Sequence, residues 1–349
     1  MDDHTAQPGR SGRATIYDVA RHAGVAISTV SRVLNDADDV SPQTRERVLR
    51  VVDKLQYRPH RTARSLAQKQ MSTLAVAVPT FTMPIFTELL KGVQADLRQH
   101  QIDLLLCDLG SSEMRLRLRR FMDRGAVDGL LLGGMPVDDA LVAELDSLGA
   151  FVVLIGASSP HFDSYWWDEA AASRAAVAYL IEQGHRRIGM IAPADGAFGA
   201  EGRLRGYRAA LDAAGLSFAE PLVGHGQTRK HMGNSEEAGY EAMTALLDTD
   251  GGVTAVFAAS DVLAIGAWKA AQDRGLSVPE SLSIVGYENI KVSRYIGLTT
   301  VDVGMQAIGA EATELLVRRM RGQTSEPPVS RELHPPLIVR KSSGPAPGR

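Results

Sequence analysis

The chain has 349 residues, 44% of them apolar and 23% charged, with a formal net charge of −3 and one cysteine. That length predicts one large body plus a small appendage rather than a single small domain. The lone Cys107 continues the apolar run Leu104-Leu105-Leu106, and a single cysteine excludes a disulfide framework and a CxxC metal site and fits a reducing compartment. No apolar stretch reaches the roughly twenty residues that span a bilayer, and the N-terminus carries no apolar signal segment. A cytoplasmic protein with no membrane attachment is therefore expected.

The charge is unevenly placed. Residues 10–70 hold 12 Lys/Arg against 6 Asp/Glu, a balance of +6, while residues 71–349 hold 26 against 33, a balance of −7. A basic head on an acidic body suggests that only the head meets phosphate. After a polar leader at 1–13, expected to be disordered, Thr15-Ile-Tyr-Asp18 fits a capping box that starts a helix. Ala23-Gly-Val25 supplies a glycine turn, and a short second helix over about Ile27–Leu34 turns Val30, Val33 and Leu34 inward. Its other face carries Ser28, Thr29, Ser31, Arg32 and Asn35, side chains that read base edges and hold phosphates. Ser41-Pro42 opens a third helix, on which Val48, Val51, Val52 and Leu55 repeat at helical spacing.

The runs Thr15-Ile-Tyr-Asp-Val-Ala-Arg-His-Ala-Gly-Val25, Ser28-Thr-Val-Ser-Arg-Val-Leu-Asn35 and Val40-Ser-Pro-Gln-Thr-Arg-Glu-Arg-Val48 resemble the LacI/GalR family of repressors almost residue for residue. The resemblance implies a helix-turn-helix DNA-binding domain over 14–59. It implies that Ile27, Ser28 and Arg32 approach the bases, and that Thr15, Tyr17, Thr29, Ser31 and Asn35 hold the phosphates. It also exposes a departure, since Ala26 stands where the family usually places a serine that caps the recognition helix. A lost cap costs on the order of 1 kcal/mol; either an operator phosphate takes its place or affinity is lower. The following segment, 60–70, is too short and polar to hold a helix alone. It resembles the family's hinge, in which Leu66 matches the side chain wedged into a base step from the minor groove.

From residue 71 to 342, apolar runs alternate with helical patterns: Leu74–Val78, Leu104–Leu106, Gly129–Leu132, Phe151–Ile155, Ile188–Ile191, Ala255–Ala258 and Ser283–Val285 read as buried parallel strands. Their number suits two doubly wound lobes. The body resembles the periplasmic-binding-protein-like effector domain of the same family, supported by Gly184-His-Arg-Arg-Ile-Gly189, Gly202-Arg-Leu-Arg-Gly-Tyr207 and Ser283-Ile-Val-Gly-Tyr-Glu-Asn289. Ligands of such sheets sit beyond the carboxyl ends of the strands. Arg203, Asp261 and Glu288 fall there, and the family implies Arg203 and the acidic position 288, usually Asp, as effector anchors. Asp261 also suits a helix N-cap. Phe86 matches an aromatic of the first-lobe cleft wall. Trp166 and Trp167, ahead of Asp168, suit either stacking on a sugar face or ordinary packing.

A dinucleotide-dependent enzyme is disfavoured, because the first strand runs into Pro79-Thr-Phe-Thr-Met-Pro84 with no GxGxxG, and no GxxxxGK[ST] occurs. The nine histidines form no HExxH. A solute-binding protein of the same fold would lack the basic head. The expectation is a repressor, not an enzyme, with no metal or cofactor. It would bind double-stranded operator DNA as a homodimer and answer to a small, sugar-like effector. Residues 343–349 read as a flexible tail without leucine heptads.

Overall fold

In a computed structural model of the protein, residues 15–34, 37, 39–55, 57, 73–110, 112–123, 127–147, 149–249 and 252–348 are described. The leader 1–13, Asn35 and the hinge 60–70 with Leu66 lie outside them. The chain divides into two compact units, residues 1–71 and 72–349.

The first unit holds three helices, α1 (Ile16–Ala23), α2 (Ile27–Leu34) and α3 (Pro42–Lys54). The capping box forms: the Asp18 amide donates to Thr15 Oγ1 at 3.3 Å and the Thr15 amide donates to Asp18 Oδ2 at 2.9 Å. Gly24 ends α1 at φ 62°, a left-handed conformation that glycine adopts without the steric cost a Cβ brings. Ser41 caps α3, accepting from the Thr44 amide at 3.3 Å, with Pro42 in the first turn. Val19, Ala20, Ala23, Val30, Val33 and Val48 close the core. Arg45 Nη2 donates to the Ala37 carbonyl at 2.6 Å and so ties the segment after α2 to α3.

The second unit is two six-stranded sheets. The first, in the order β11-β5-β4-β3-β1-β2, uses β1 (Thr73–Val78), β2 (Asp103–Asp108), β3 (Gly129–Gly133), β4 (Phe151–Ile155), β5 (Asp163–Trp167) and β11 (Ser330–Leu333). The second, in the order β12-β10-β9-β8-β6-β7, uses β6 (Ile188–Ile191), β7 (Val223–Gly224), β8 (Ala255–Ala258), β9 (Ser283–Glu288), β10 (Thr299–Asp302) and β12 (Leu337–Ile338). Every pairing is parallel except β10 with β12, so crossover helices cover the sheets, as parallel strands require. The chain passes between the lobes after β5, after β10 and after β11. The helix Met305–Met320 returns to the first lobe and packs on Pro84–Leu97. There Gly92 is required, because a Cβ on it would run into the backbone oxygen of Gln306.

Three details differ from the pattern in the sequence. The run Leu104–Leu106 is an edge strand rather than a buried one, and Leu106 is 51% exposed. Strand β5 opens on the polar Asp163 and Ser164 and is otherwise aromatic, and β11 is polar and mostly exposed, so neither shows an aliphatic run. The tail expected to be free from 343 is instead fastened to the second lobe. Ser343 Oγ lies 2.7 Å from Thr299 Oγ1, the Gly344 amide donates to Ser283 Oγ at 3.1 Å, and the Ala346 amide donates to the Gln183 carbonyl at 2.9 Å.

What holds β11 in register is a buried ion pair. Arg319 Nε and Nη2 each donate to Asp163 at 2.8 Å, and the Val329 amide donates to the same carboxylate at 2.8 Å. Breaking a buried pair by removing one partner costs about 3–5 kcal/mol, because the other charge stays buried. Arg319→Ala is accordingly expected to lower the thermal midpoint of the full chain by several degrees in scanning calorimetry; a midpoint equal to wild type would mean that the pair does not hold the strand.

Candidate functional site

Two surfaces carry chemistry, one on each unit. On α2 the inward face is Val30 and Val33, so helical periodicity turns Ile27, Ser28 and Arg32 out to solvent, and Ile27 is 41% exposed. An exposed isoleucine beside a serine and an arginine is an unusual outer face for a helix of eight residues. Tyr17, at 65% exposure, and Thr15 stand outward at the start of α1, while Thr29 and Ser31 are half-buried. Arg32 is ion-paired with Asp39 at the surface, with both side chains more than half exposed.

The second surface is a cavity of about 260 Å³ between the lobes. Its first-lobe wall includes Phe86, from the helix Pro84–Leu97, together with Asp108 and Trp167 at the ends of β2 and β5. Its second-lobe wall includes Phe198, Arg203, His231, Asn234 and Glu288. Strand alternation explains why Trp167 and not Trp166 reaches the cavity: neighbours on a strand face opposite ways, and Trp166 Nε1 donates to Ser330 Oγ at 3.1 Å.

Arg203, in the first turn of the helix Ala200–Ala213, is 6% exposed. Its Nε and Nη2 donate to the two oxygens of Glu169 at 3.0 and 3.1 Å, its Nη1 donates to the Ala259 carbonyl, and its Cζ lies 4.1 Å from the Tyr287 ring centroid. Burial works against the guanidinium charge, but the Glu169 carboxylate outweighs it and holds the pKa above the usual arginine value. Glu288 ends β9 with its side chain 4.0 Å from Arg203 Nη1 and a backbone φ of 108°, a region non-glycine residues rarely occupy. Burial pushes its carboxyl up to about 8, against the pull of Arg203.

The structure gathers Phe86, Trp167, Arg203 and Glu288 around this cavity and leaves two of the sequence candidates elsewhere. Asp168 is exposed and caps the helix Glu169–Glu182, accepting from the amides of Ala170 at 2.8 Å and Ala171 at 3.1 Å. Asp261 is fully buried and not in the cavity lining. It accepts from the Ile290 amide at 2.9 Å, Ser293 Oγ at 2.6 Å and Thr300 Oγ1 at 2.5 Å, and the N-cap of its helix is Ser260 rather than Asp261 itself. Burial raises its carboxyl to about 6.

Four cavity or support residues had no local signal: Glu169, Phe198, His231 and Asn234. His231 and Met232 both adopt left-handed backbone in a loop, at φ 50° and 56°, and His231 Nε2 sits 3.2 Å from Thr82 Oγ1 of the first lobe. Burial, with Lys230 nearby, lowers the His231 pKa. Phe198 crosses to the first lobe at Gly156, where a Cβ would lie 3.1 Å from its ring.

The profile described as bacterial regulatory proteins, lacI family, matches residues 15–60, and that of a periplasmic binding protein-like domain matches residues 177–343. The HTH-type transcriptional regulator CelR of Thermobifida fusca is 37% identical over 345 residues, which span 95% of this chain and 99% of that protein. The repressor PurR of Pasteurella multocida is 34% identical over 94% of this chain and 98% of its own length. Among solved structures, a CelR–cellobiose complex aligns over 95% of this chain and 100% of its own with a TM-score of 0.65 at 34% identity. The lac repressor dimer bound to operator and the anti-inducer ONPF aligns over 95% and 99% with a TM-score of 0.74 at 26% identity.

The three donors converging on Asp261 give a direct check on its role. Asp261→Ala strands buried donors, each costing about 1–3 kcal/mol when left unsatisfied, so a clear drop in thermal midpoint is expected. A midpoint within a degree of wild type would show that these donors find other partners.

Proposed function

The chain belongs to the LacI family of bacterial regulatory proteins, and on that premise we propose that it is a homodimeric repressor that binds a specific operator and is controlled by a sugar or sugar derivative held between its lobes. The observation that carries the proposal is the pairing, in one chain, of the outward face of α2 with a cavity that holds a buried Arg203 and an aromatic wall. The family consists of transcription regulators rather than enzymes. No described helix is long and apolar enough to cross a membrane.

In this proposal Ile27, Ser28 and Arg32 read base edges in the major groove, while Thr15, Tyr17, Thr29, Ser31 and Asn35 hold phosphates. A guanine would take Arg32 from Asp39, exchanging one ion pair for a bidentate contact. Leu66 enters the minor groove between half-sites, where unstacking costs a few kcal/mol that a bent, better-wrapped duplex offsets. A homodimer is supported by apolar side chains that remain in solvent on the short helix Lys291–Ile296, with Tyr295 76% and Val292 41% exposed. In the second unit, Phe86, Trp167, Arg203 and Glu288 make the effector site: the aromatic rings suit the apolar face of a pyranose, and the buried guanidinium suits a pair of hydroxyls. Asp168 and Asp261 are left with capping and with bracing of the loop after β9.

Selection of bound duplexes from a random pool tests the DNA-binding role. The full chain should enrich a near-palindromic site with half-sites about one helical turn apart. Arg32→Ala should weaken that site by about 1–3 kcal/mol and relax one position in each half. Leu66→Ala should weaken specific binding far more than non-specific binding. Enrichment of no sequence at all would sink the proposal, and equal losses for both kinds of duplex would remove Leu66 as a wedge.

A further inference from the structure

A second cavity, of about 440 Å³, adjoins the first, and Glu288 and Met305 line both. Its walls are the first-lobe helix Pro84–Leu97, the loop after β9 with the short helix Lys291–Ile296, the end of β10 and the first turn of the helix Met305–Met320. Four of its side chains are cations, Lys91, Lys291, Arg294 and Arg340. Against them stand two ionised carboxylates, Glu88 and Asp302, because the Glu288 carboxyl, raised to about 8 mainly by burial, is protonated at pH 7. The lining therefore carries a net charge of +2, on a stretch of chain from 71 to 349 whose own balance is −7. A recess of opposite sign to the body that bears it concentrates anions.

The acids of this cavity are already engaged, and two of its cations are not. Glu88 accepts from Lys91 Nζ at 2.7 Å and from the Lys291 amide at 3.3 Å, and Asp302 accepts from the Gly304 amide at 2.9 Å. Arg340 donates through Nη1 to the Leu298 carbonyl at 2.6 Å and through Nη2 to Asn289 Oδ1 at 2.8 Å. Those two bonds fix its guanidinium and leave three of the five N–H groups. The side chains of Lys291 and Arg294 make no hydrogen bond or ion pair with any described residue. They stand three positions apart on one helix, where like charges repel, and an anion between them relieves that repulsion. The sixteen-residue helix Met305–Met320 opens on the same cavity with no side-chain cap and no acid in its first turn, which adds to the positive field of the cations.

We infer that this second cavity is a binding site for a small phosphate dianion, free or as a monoester, held by Lys291, Arg294 and Arg340. A phosphate offers three oxygens in a tetrahedral array, enough for the fixed fork of Arg340 on one side and the two unpaired cations on the other. An uncharged molecule of the same size would leave those cations unanswered. The site straddles the lobe boundary, with Lys91 contributed by the first lobe and Lys291 and Arg294 by the second. It is independent of the effector role proposed above, since Phe86, Trp167 and Arg203 do not line it. It also borders the exposed Tyr295 that was assigned to the subunit interface, so the full chain is the form to test.

Isothermal titration of the full chain at pH 7 tests the site, with inorganic phosphate, glycerol 3-phosphate and glycerol as probes. Phosphate or its ester is expected to bind and glycerol not; the tighter of the two anions tells whether the free ion or the ester is the ligand. In the double variant Lys291→Gln, Arg294→Gln the affinity should fall about tenfold or more at low salt. In Lys291→Arg, Arg294→Lys, which keeps both charges, binding should persist. Binding of neither anion, or equal affinity in wild type and the glutamine variant, would overturn the inference and leave the effector role untouched. A readout on the wild-type chain needs no variant to fold: saturating phosphate should slow acetylation of Lys291 by acetic anhydride several-fold, followed by peptide mass spectrometry, and leave that of Lys269 unchanged. Equal acetylation of Lys291 with and without phosphate would also overturn it.

Discussion

The bidentate pair between Arg203 and Glu169 is the interaction around which the second unit's site is organised. It joins the first turns of two adjacent helices, and through the Ala259 carbonyl it fixes both to the end of β8. Tyr287 lies under the guanidinium, and that places Glu288, the next residue on β9, within 4.0 Å of it. A lone guanidinium could not be buried at this depth, because desolvating an ion costs several kcal/mol unless a partner compensates it. The partner sets the chemistry as well. With its charge matched by Glu169, Arg203 is held in one orientation, and Glu288 lies beside a guanidinium whose charge is already answered.

Architecture determines how such a site can act at a distance. The three crossings between lobes leave them packed over a fissure, and in this conformation they touch through Thr82 with His231, through the Lys291 amide donating to Glu88 Oε1 at 3.3 Å, and through Phe198 against Gly156. All three contacts border or neighbour the cavity, so a molecule bound there gains or loses affinity with the degree of closure. A ligand shifts an equilibrium between lobe placements only by the difference of its affinities for them. A regulator of this design therefore depends on contacts from both walls: Phe86 and Trp167 on one, Arg203 and Glu288 on the other.

Much of this was legible in the residues. The capping box at Thr15, the glycine turn at Gly24 and Pro42 at the start of α3 are local signals, and each appears where its chemistry places it. Strands such as Ala255–Ala258 were readable because a strand buried on both faces is an unbroken apolar run. Where burial is one-sided or absent, that signal fails. Ser330–Leu333 lies at the sheet edge and is held by the Arg319–Asp163 pair, which joins residues 156 apart in sequence. Proximity to a strand end was also too coarse a guide for acids. Asp168, Asp261 and Glu288 all follow or end strands, yet only Glu288 lines the cavity, because the amides beside Asp168 and the donors around Asp261 capture those carboxylates first. Glu169 and His231 depend on tertiary placement alone. The tail from 343 has the composition of a loose end, but the buried hydroxyls of Ser342 and Ser343 bind it to β9 and β10.

In a repressor controlled as proposed, the cavity in the second unit and the DNA-reading face of the first are thermodynamically linked. Linkage is reciprocal: whatever factor a ligand applies to operator affinity, operator must apply to ligand affinity. Measuring the dissociation constant of a cavity-binding sugar with and without operator, and of the duplex selected by the full chain with and without sugar, closes that cycle. Equal factors of about 5–150 are expected along the two paths, corresponding to about 1–3 kcal/mol of coupling. A sugar that saturates the cavity yet leaves operator affinity unchanged, with its own affinity indifferent to operator, would contradict it.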